Sequence, residues 1–380
     1  MKQILLAGML SMCLFLSGCV SRDMEEQLPV IILGVDRTED SSIRISVKVP
    51  SNSASGGGEQ AAAGGEQMGY LLLEATGKRF PDAVNLLRAT TPRTLNFSQT
   101  REVVFGEKAA MGENFSTLLY SVYSLPRMRS QAALIICRDQ AYDFTKEQKP
   151  YVGSRLSRYV DTTLRNYAGK GFVPTTTLGQ AVRDLGYGFS DALLIYGSVN
   201  QFDQSQSPSK GNVLDVQAGN MPRKSVNAIE LFGAATTNGV QVSGVLTGYE
   251  MALVHLLQGN AQSLDVQTED QPAVPVFARV PATLSVDLDT TPITLKVQLL
   301  CEGRYYPGYI PETDPLIRTL TRDLKDMIAH LQQLRCDGLG FGNLAARQCL
   351  TVSDWENLHF RELYAQAQVD IQVQLQLREY

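Results

Sequence analysis

The sequence has few of the residues that most often build catalytic and metal sites. Its 380 residues include three histidines, one tryptophan and six cysteines. The common nucleotide-binding, hydrolase and zinc-protease motifs do not occur in it. His255, His330 and His359 all fall in predicted helices without a second histidine three or four residues away, so we interpret them as packing or surface residues. The sequence therefore predicts no catalytic residue, no metal site and no cofactor.

The chain also has no strong charge of one sign. The formal net charge is −5, and no run of lysine and arginine occurs, so the sequence does not predict a nucleic-acid partner. After the first 18 residues, no segment approaches the roughly 20 apolar residues that a membrane-spanning helix needs. Any membrane contact is therefore expected to come from a lipid group.

Cysteines are sparse and are not spaced for metal binding. The four that follow the first 19 residues are Cys137, Cys301, Cys336 and Cys349, and none forms a CxxC pair. Four cysteines allow three disulfide pairings, and free thiols are the fourth alternative. We favour free, buried thiols, since Cys137 ends an apolar run that is typical of a buried strand.

The amino terminus carries the most specific signal in the chain. Lys2 precedes an apolar run from Ile4 to Leu16, and Leu16-Ser17-Gly18-Cys19 follows at its end. This order is typical of a bacterial lipoprotein signal peptide over residues 1–18, with Cys19 as the lipid attachment residue. The alternative is an ordinary secretory signal with an incidental cysteine. Stable anchoring takes two lipid signals, a condition that a diacylglyceryl group on Cys19 would meet.

The pattern of elements predicts an α+β fold, with mixed β-sheets flanked by helices in two to three domains. Strands and helices alternate without a regular βαβ rhythm. We expect an N-terminal α+β region of one or two domains over 19–199, a linker over 200–227 and a C-terminal α+β domain over 228–380. Residues 51–69 are rich in glycine, serine and alanine, and are predicted to form a flexible loop.

Several strands are predicted from periodicity. Residues 43–49 alternate between apolar and polar side chains, which indicates a half-buried strand, and 132–137 is predicted to be a central strand. Residues 274–288 and 293–303 are predicted to be two long strands. Residues 369–377 alternate cleanly and predict a final strand.

Helix ends are predicted from capping residues. Thr247 is predicted to cap a helix that runs to Gln258, and Asp314 to cap a long helix that Gly338 ends. Ser353 is predicted to cap a further single helix that contains Trp355, Leu358, Leu363 and Tyr364. The glycines of 338–342 are interpreted as a tight turn with Phe341 in the core, because a dinucleotide loop would follow a strand and this segment follows a helix. Trp355 is interpreted as part of an aromatic packing cluster with Phe360 and Tyr364.

An ordered set of motifs resembles the C subunit of bacterial spore germinant receptors. The set covers nearly the whole chain after Cys19. Its members are the lipid-attachment cysteine with its polar tether (21–26), Leu33-Gly34-Val35-Asp36, the stretch 93–107, the hairpin and helix start in 232–250, and Cys336–Gly342 with Trp355.

The resemblance implies three mixed α+β domains and a lipid on Cys19. It further implies a place on the outer face of the cytoplasmic (spore inner) membrane, and association with two integral-membrane subunits of the A and B types. It implies no enzymatic activity and a part in nutrient-triggered spore germination. Because the sequence has a predicted lipid tether and no catalytic constellation, we predict a scaffold or coupling role for the chain. Two alternatives belong to other classes: a solute-binding lipoprotein of a transporter, and a lipid-anchored enzyme.

Replacing Cys19 tests the anchor. Cys19→Ala is expected to block lipid attachment and to release the chain from membranes, because no other long apolar segment follows the signal. Fractionation of cells that express the variant without receptor partners measures this. A variant that stays entirely with membranes would reveal a second anchor.

Overall fold

The computed structural model describes residues 26–51, 69–150, 155–201, 214–260, 263–268 and 271–380. The predicted signal peptide, Cys19 and all but the two ends of the predicted loop 51–69 lie outside the described residues. Among the described helices, none is both long enough and apolar enough to cross a membrane.

Among the described residues, ten strands precede residue 247, and eight of them form one sheet. The strands are β1 (Gln27–Pro29), β2 (Ile32–Arg37), β3 (Ile43–Pro50), β4 (Tyr70–Gly77), β5 (Thr94–Asn96), β6 (Glu102–Gly106), β7 (Ala133–Cys137), β8 (Leu193–Val199), β9 (Ile229–Thr237) and β10 (Val242–Leu246). The sheet order is β10-β9-β8-β7-β6-β2-β3-β4, while β1 and β5 pair separately. The inner strands β8, β7, β6 and β2 are parallel, and an antiparallel hairpin extends each side.

Six helices cover the two faces of this sheet. They are α1 (Phe80–Thr90), α2 (Glu107–Ala110), α3 (Phe115–Tyr123), α4 (Ala141–Glu147), α5 (Leu156–Ala168) and α6 (Leu178–Tyr187). Helices α1, α2, α3 and α6 contribute to the core on one face, and α4 and α5 to the core on the other. Strand β7 is central and almost wholly buried, as predicted. Covering both faces explains why the inner strands are mostly apolar.

The rest of the chain forms a second sheet with five helices. Its strands are β11 (Leu264–Val266), β12 (Val274–Phe277), β13 (Thr283–Asp287), β14 (Thr294–Tyr305) and β15 (Gln368–Glu379). Its helices are α7 (Gly248–Leu257), α8 (Thr313–Gln333), α9 (Phe341–Ala346), α10 (Val352–Leu358) and α11 (Phe360–Gln366). Strand β14 pairs with β12 and β13 on one side and with β15, in parallel, on the other. The predicted α+β class is confirmed.

The strands on either side of the segment predicted to link two domains, residues 200–227, belong to the same larger sheet. Strands β8 and β9 flank residues 200–227 and pair with each other, and all nine residues of β9 are buried. The buried carboxylate of Glu230 accepts hydrogen bonds from Gly219 N (2.6 Å) and Arg223 Nε (2.8 Å). The described part of the predicted linker is therefore held against the sheet. The domain boundary itself stays a prediction.

The prediction of a half-buried β3 is wrong. Ser46 and Lys48, expected to face solvent, are 1% and 0% exposed. Helix α4 packs on the face that alternation assigned to water. Lys48 Nζ donates to Thr145 O (2.6 Å) and to Gln148 O at the carboxyl end of that helix. These carbonyls have no partner within the helix, so the ammonium group satisfies them and complements the helix dipole.

The other end of α4 is held by the opposite charge. The Asp36 carboxylate, at the end of β2, accepts hydrogen bonds from Ala141 N (2.6 Å) and Tyr142 N (3.0 Å). Arg44 Nη2 lies 3.3 Å from the same carboxylate. Burial raises the pKa of Asp36, and these donors oppose that rise. Two adjacent strands thus fix both ends of a seven-residue helix that is too short to be stable alone.

Several predicted boundaries in the second half are corrected. The predicted strand 274–288 is two strands, since Pro281 lies between β12 and β13 and cannot donate a ladder hydrogen bond. The N-cap position of helix α8 is Glu312, which makes no side-chain capping hydrogen bond, and the predicted cap Asp314 lies in the first turn. The helix ends before Gly338, at Gln333, because Arg335 adopts a left-handed conformation with φ of 52°. The prediction of Thr247 as the cap of α7 is confirmed.

The carboxyl-terminal helices also differ from prediction. Thr351, and not Ser353, caps α10, and it forms a capping box with Asp354. The predicted single helix is divided at His359, where φ is 48°. Strand β15 confirms the predicted final strand and extends it at both ends.

A buried carboxyl beside Lys48 makes stability depend on pH. Glu102 is wholly buried, and its Oε1 accepts a hydrogen bond from Gln148 Nε2 at 3.0 Å. Burial raises the pKa of Glu102 to about 8, and burial lowers the pKa of Lys48 to about 7. A carboxyl with a raised pKa in the folded state stabilises the fold below its ordinary pKa, and this contribution is lost as pH rises through the folded-state pKa.

Glu102→Gln should therefore gain stability relative to the wild type as pH rises from about 4.5 to about 8. The expected change in relative free energy of unfolding is on the order of 1 kcal/mol per pH unit. Chemical denaturation at a series of pH values measures it. The control is Glu362→Gln on an exposed helix position. Parallel pH profiles for the wild type and Glu102→Gln would contradict the expectation.

Candidate functional site

A cleft of about 190 Å³ lies where the end of the first half meets the last helices. Its walls come from the loop before β8, the segment between α8 and α9, and helices α10 and α11. The cleft brings together Trp355 and Tyr364, which the sequence singled out, with Asp337, the residue that precedes the glycine-rich turn 338–342. Its lining residues include Phe189, Asp191, Asp337, Trp355, Arg361 and Tyr364.

Asp191 is the charged centre of this region. Its side chain is 1% exposed, and both of its oxygens accept hydrogen bonds from the Arg361 guanidinium at 3.0 Å. Asp191 also accepts a hydrogen bond from Asp337 N at 2.8 Å, and its own N–H donates to Asp337 O. Burial raises the pKa of Asp191, and Arg361 opposes that rise. A bidentate arginine pair of this kind fixes orientation as well as distance.

Asp337 orders the glycine-rich turn. Its Oδ1 accepts hydrogen bonds from Gly340 N (3.1 Å) and Phe341 N (2.9 Å), and its Oδ2 accepts one from Gly342 N (2.6 Å). Burial raises the pKa of this carboxyl to about 6, against the effect of the three backbone donors. The carboxylate therefore starts helix α9, and Phe341 is fully buried as predicted.

A different steric constraint explains why each of the three positions in the turn is occupied by glycine. Gly340 has φ of 81°, in the left-handed region that side chains with a Cβ resist. A Cβ on Gly342 would lie 2.2 Å from Phe189 O, and one on Gly338 would lie 2.8 Å from Leu193 Cδ2. The turn therefore fits closely against the loop before β8 and against β8 itself.

Aromatic rings continue the contact between the two halves. The Trp355 ring lies 5.4 Å from Phe189 and 5.6 Å from Phe360, centroid to centroid. Tyr364 follows Phe360 at 6.1 Å, and its hydroxyl donates to Cys336 O at 3.0 Å. The predicted aromatic packing is confirmed. Phe189, which the sequence did not single out, brings the first half into the cluster.

This geometry supports a structural role, in which the contacts hold the two halves of the chain together. Both buried carboxylates already accept two or more hydrogen bonds from the chain itself. Among the described residues, no group of three histidine, cysteine, aspartate or glutamate side chains could hold a metal ion. The pKa of the Cys336 thiol is raised well above its ordinary value by burial, which disfavours the reactive thiolate.

The remaining residues that the sequence singled out lie elsewhere. His255 Nε2 lies 3.0 Å from Val173 O, and His330 Nδ1 lies 2.6 Å from Glu250 Oε1, so both join packed elements. His359 is exposed between two helices. The four cysteines are free: Cys137, Cys301 and Cys336 are buried, and Cys349 is half-buried.

Two family profiles match this chain. Residues 20–199 match the "Spore germination protein N-terminal domain", and residues 233–380 match "Spore germination B3/ GerAC like, C-terminal". The chain belongs to the spore germinant-receptor C-subunit family. This membership supports the first of the three classes that the sequence left open.

Individual members of the family are distant in sequence. The protein YfkR of Bacillus subtilis (strain 168) is 21% identical over 95% of this chain and 92% of its own length. "Spore germination protein KC" of the same organism is 24% identical over 44% of this chain and 42% of its own length. The crystal structure of the GerBC protein matches with a TM-score of 0.52 and 12% identity, over 91% of this chain and 96% of that one. This match shows a shared fold.

The turn offers a direct test of its supporting role. Gly340→Val is expected to destabilise the fold by about 1–2 kcal/mol, because a β-branched residue resists the left-handed conformation. The nearest atom to an added Cβ is Asn343 Nδ2 at 3.5 Å, so the loss would come from the backbone and not from a clash. Gly340→Asn is the matched control and should lose less, since asparagine tolerates this conformation. Equal melting temperatures for the two variants would contradict the argument.

Proposed function

We propose that this chain is the lipid-anchored subunit of a spore germinant receptor, and that it acts as a scaffold that couples membrane-embedded partners during nutrient-triggered germination. Its partners would be two integral-membrane subunits of the A and B types. Its anchor would be a lipid on Cys19, on the outer face of the cytoplasmic (spore inner) membrane. Family membership of both halves supports this assignment.

The main observation in support of the scaffold role is the set of contacts that holds the two halves of the chain together. The Asp191 carboxylate lies two residues before β8 of the first sheet, and it binds Arg361 of α11 and the backbone N–H of Asp337 in the second half. Strands β9 and β10 add a covalent and hydrogen-bonded connection, since both lie in the first sheet and β10 leads into α7. A body built in this way keeps its surfaces at fixed mutual distances, as a coupling subunit requires.

Tethering supports the same role by a second route. A lipid on Cys19 would confine the folded chain to a thin layer at the membrane surface. Its effective concentration toward membrane partners would rise without any new contact. In this proposal the functional event is surface recognition of the partner subunits, and the chain is not an enzyme.

Recovery of the chain from spore membranes tests the proposal. The full-length tagged chain is expected to co-purify with two multispanning membrane proteins, and its deletion is expected to abolish the germination response to the matching nutrient. The Cys19→Ala chain is the control and should recover the partners several-fold less. A wild-type chain that purifies alone, with germination unchanged in the deletion strain, would refute the proposal.

A further inference from the structure

Strand β15 is a long sheet edge that no strand in the described part of the chain covers. It pairs with β14 in parallel along all 12 of its residues, without a bulge, and its other side has no strand partner among the described residues. Gln368 N donates to Ile293 O and Tyr380 N donates to Tyr305 O, so the even-numbered residues direct their backbone groups to β14. The odd-numbered residues from Val369 to Glu379 therefore present N–H and C=O groups outward.

This edge lacks the features that usually prevent strand pairing. Edge strands are commonly protected by lysine, proline, a bulge or short length. Residues 368–379 contain no lysine and no proline, and the next-longest sheet edge, β4, has eight residues. A regular edge of this length is a template for another strand.

The side chains of β15 form two distinct rows. The first row is exposed and polar: Gln368, Asp370, Gln372, Gln374, Gln376 and Arg378. The second row is half-buried and apolar from Val369 to Leu377, and it belongs to the core beneath α8. An incoming strand must match both rows.

We propose that two copies of this chain pair through β15, antiparallel, about a two-fold axis at Gln374. In this register Asp370 lies opposite Arg378 of the second copy, and Gln374 lies opposite itself. On the apolar row, Val373 lies opposite Leu375 and Ile371 opposite Leu377. The contact is isologous, so the Asp370–Arg378 pair occurs twice.

Charge and periodicity select this register. A shift by one residue would place the polar row opposite the apolar row. A shift by two would place Asp370 opposite Gln376 or Tyr380, and both ion pairs would be lost. In the chosen register the odd-numbered residues meet as hydrogen-bonded pairs, and the even-numbered residues meet as the closer, non-hydrogen-bonded pairs. Arg378 is 58% exposed, and its bond to Glu302 at 3.4 Å lies on the same open face.

Single cysteine substitutions in the full chain test the pairing. Opposed Cα atoms in a non-hydrogen-bonded pair are about 4.5 Å apart, within the range that a disulfide spans. Gln374→Cys should therefore give a covalent dimer on mild oxidation. Gln372→Cys is the matched control, because it is equally exposed and its counterpart would lie about 13 Å away. We expect cross-linking at least ten-fold faster for Gln374→Cys, with the wild type as the blank for native cysteines.

A mixture of two variants gives an independent readout. Gln372 lies opposite Gln376 of the second copy, so mixed Gln372→Cys and Gln376→Cys chains should cross-link although neither does so alone. Equal rates for Gln374→Cys and Gln372→Cys, together with no gain on mixing, would overturn the proposal. Cross-linking of Gln374→Cys to a different protein instead of to itself would also overturn it, and would assign the edge to a heterologous strand.

Discussion

The buried carboxylate of Asp191 is the contact on which the arrangement of the two halves depends. It lies two residues before the central strand β8 and binds a guanidinium that is 170 residues later in the chain. Loss of Arg361 would leave the buried charge of Asp191 without its partner, which in proteins costs about 3–5 kcal/mol. The same carboxylate positions the backbone of Asp337, and Asp337 in turn starts the helix that buries Phe341. The aromatic residues Trp355, Phe360 and Tyr364 pack together beside the buried Phe341.

Buried charge is used in a second way on the face of the first sheet that helix α4 covers. Asp36 and Lys48 come from neighbouring strands and hold opposite ends of helix α4. Each charged group is opposite in sign to the partial charge of the helix dipole at the helix end that it contacts. In both halves, ionic side chains thus satisfy the backbone groups that a short helix leaves unpaired.

Local features of this fold could be predicted from the sequence, and distant ones could not. The cap at Thr247, the turn at Gly340 and the alternation of β15 all follow from residues a few positions apart. The burial of Lys48 could not be predicted, because alternation within a strand does not reveal that a helix from residue 141 onward covers its polar face. The Asp191–Arg361 pair has no local signature at all. In the candidate site, therefore, the turn and the aromatic residues were predicted, whereas the ionic contact and Phe189 were not.

Strand β9 has a mechanical consequence. All nine of its residues are buried, β8 and β10 pair with its two sides, and its hairpin leads directly into the helix at Thr247. Moving the start of the second half away from the first sheet would therefore require breaking ladder hydrogen bonds between β9 and β10, and not only the extension of a linker. The connection between the two halves is thus part of the sheet itself.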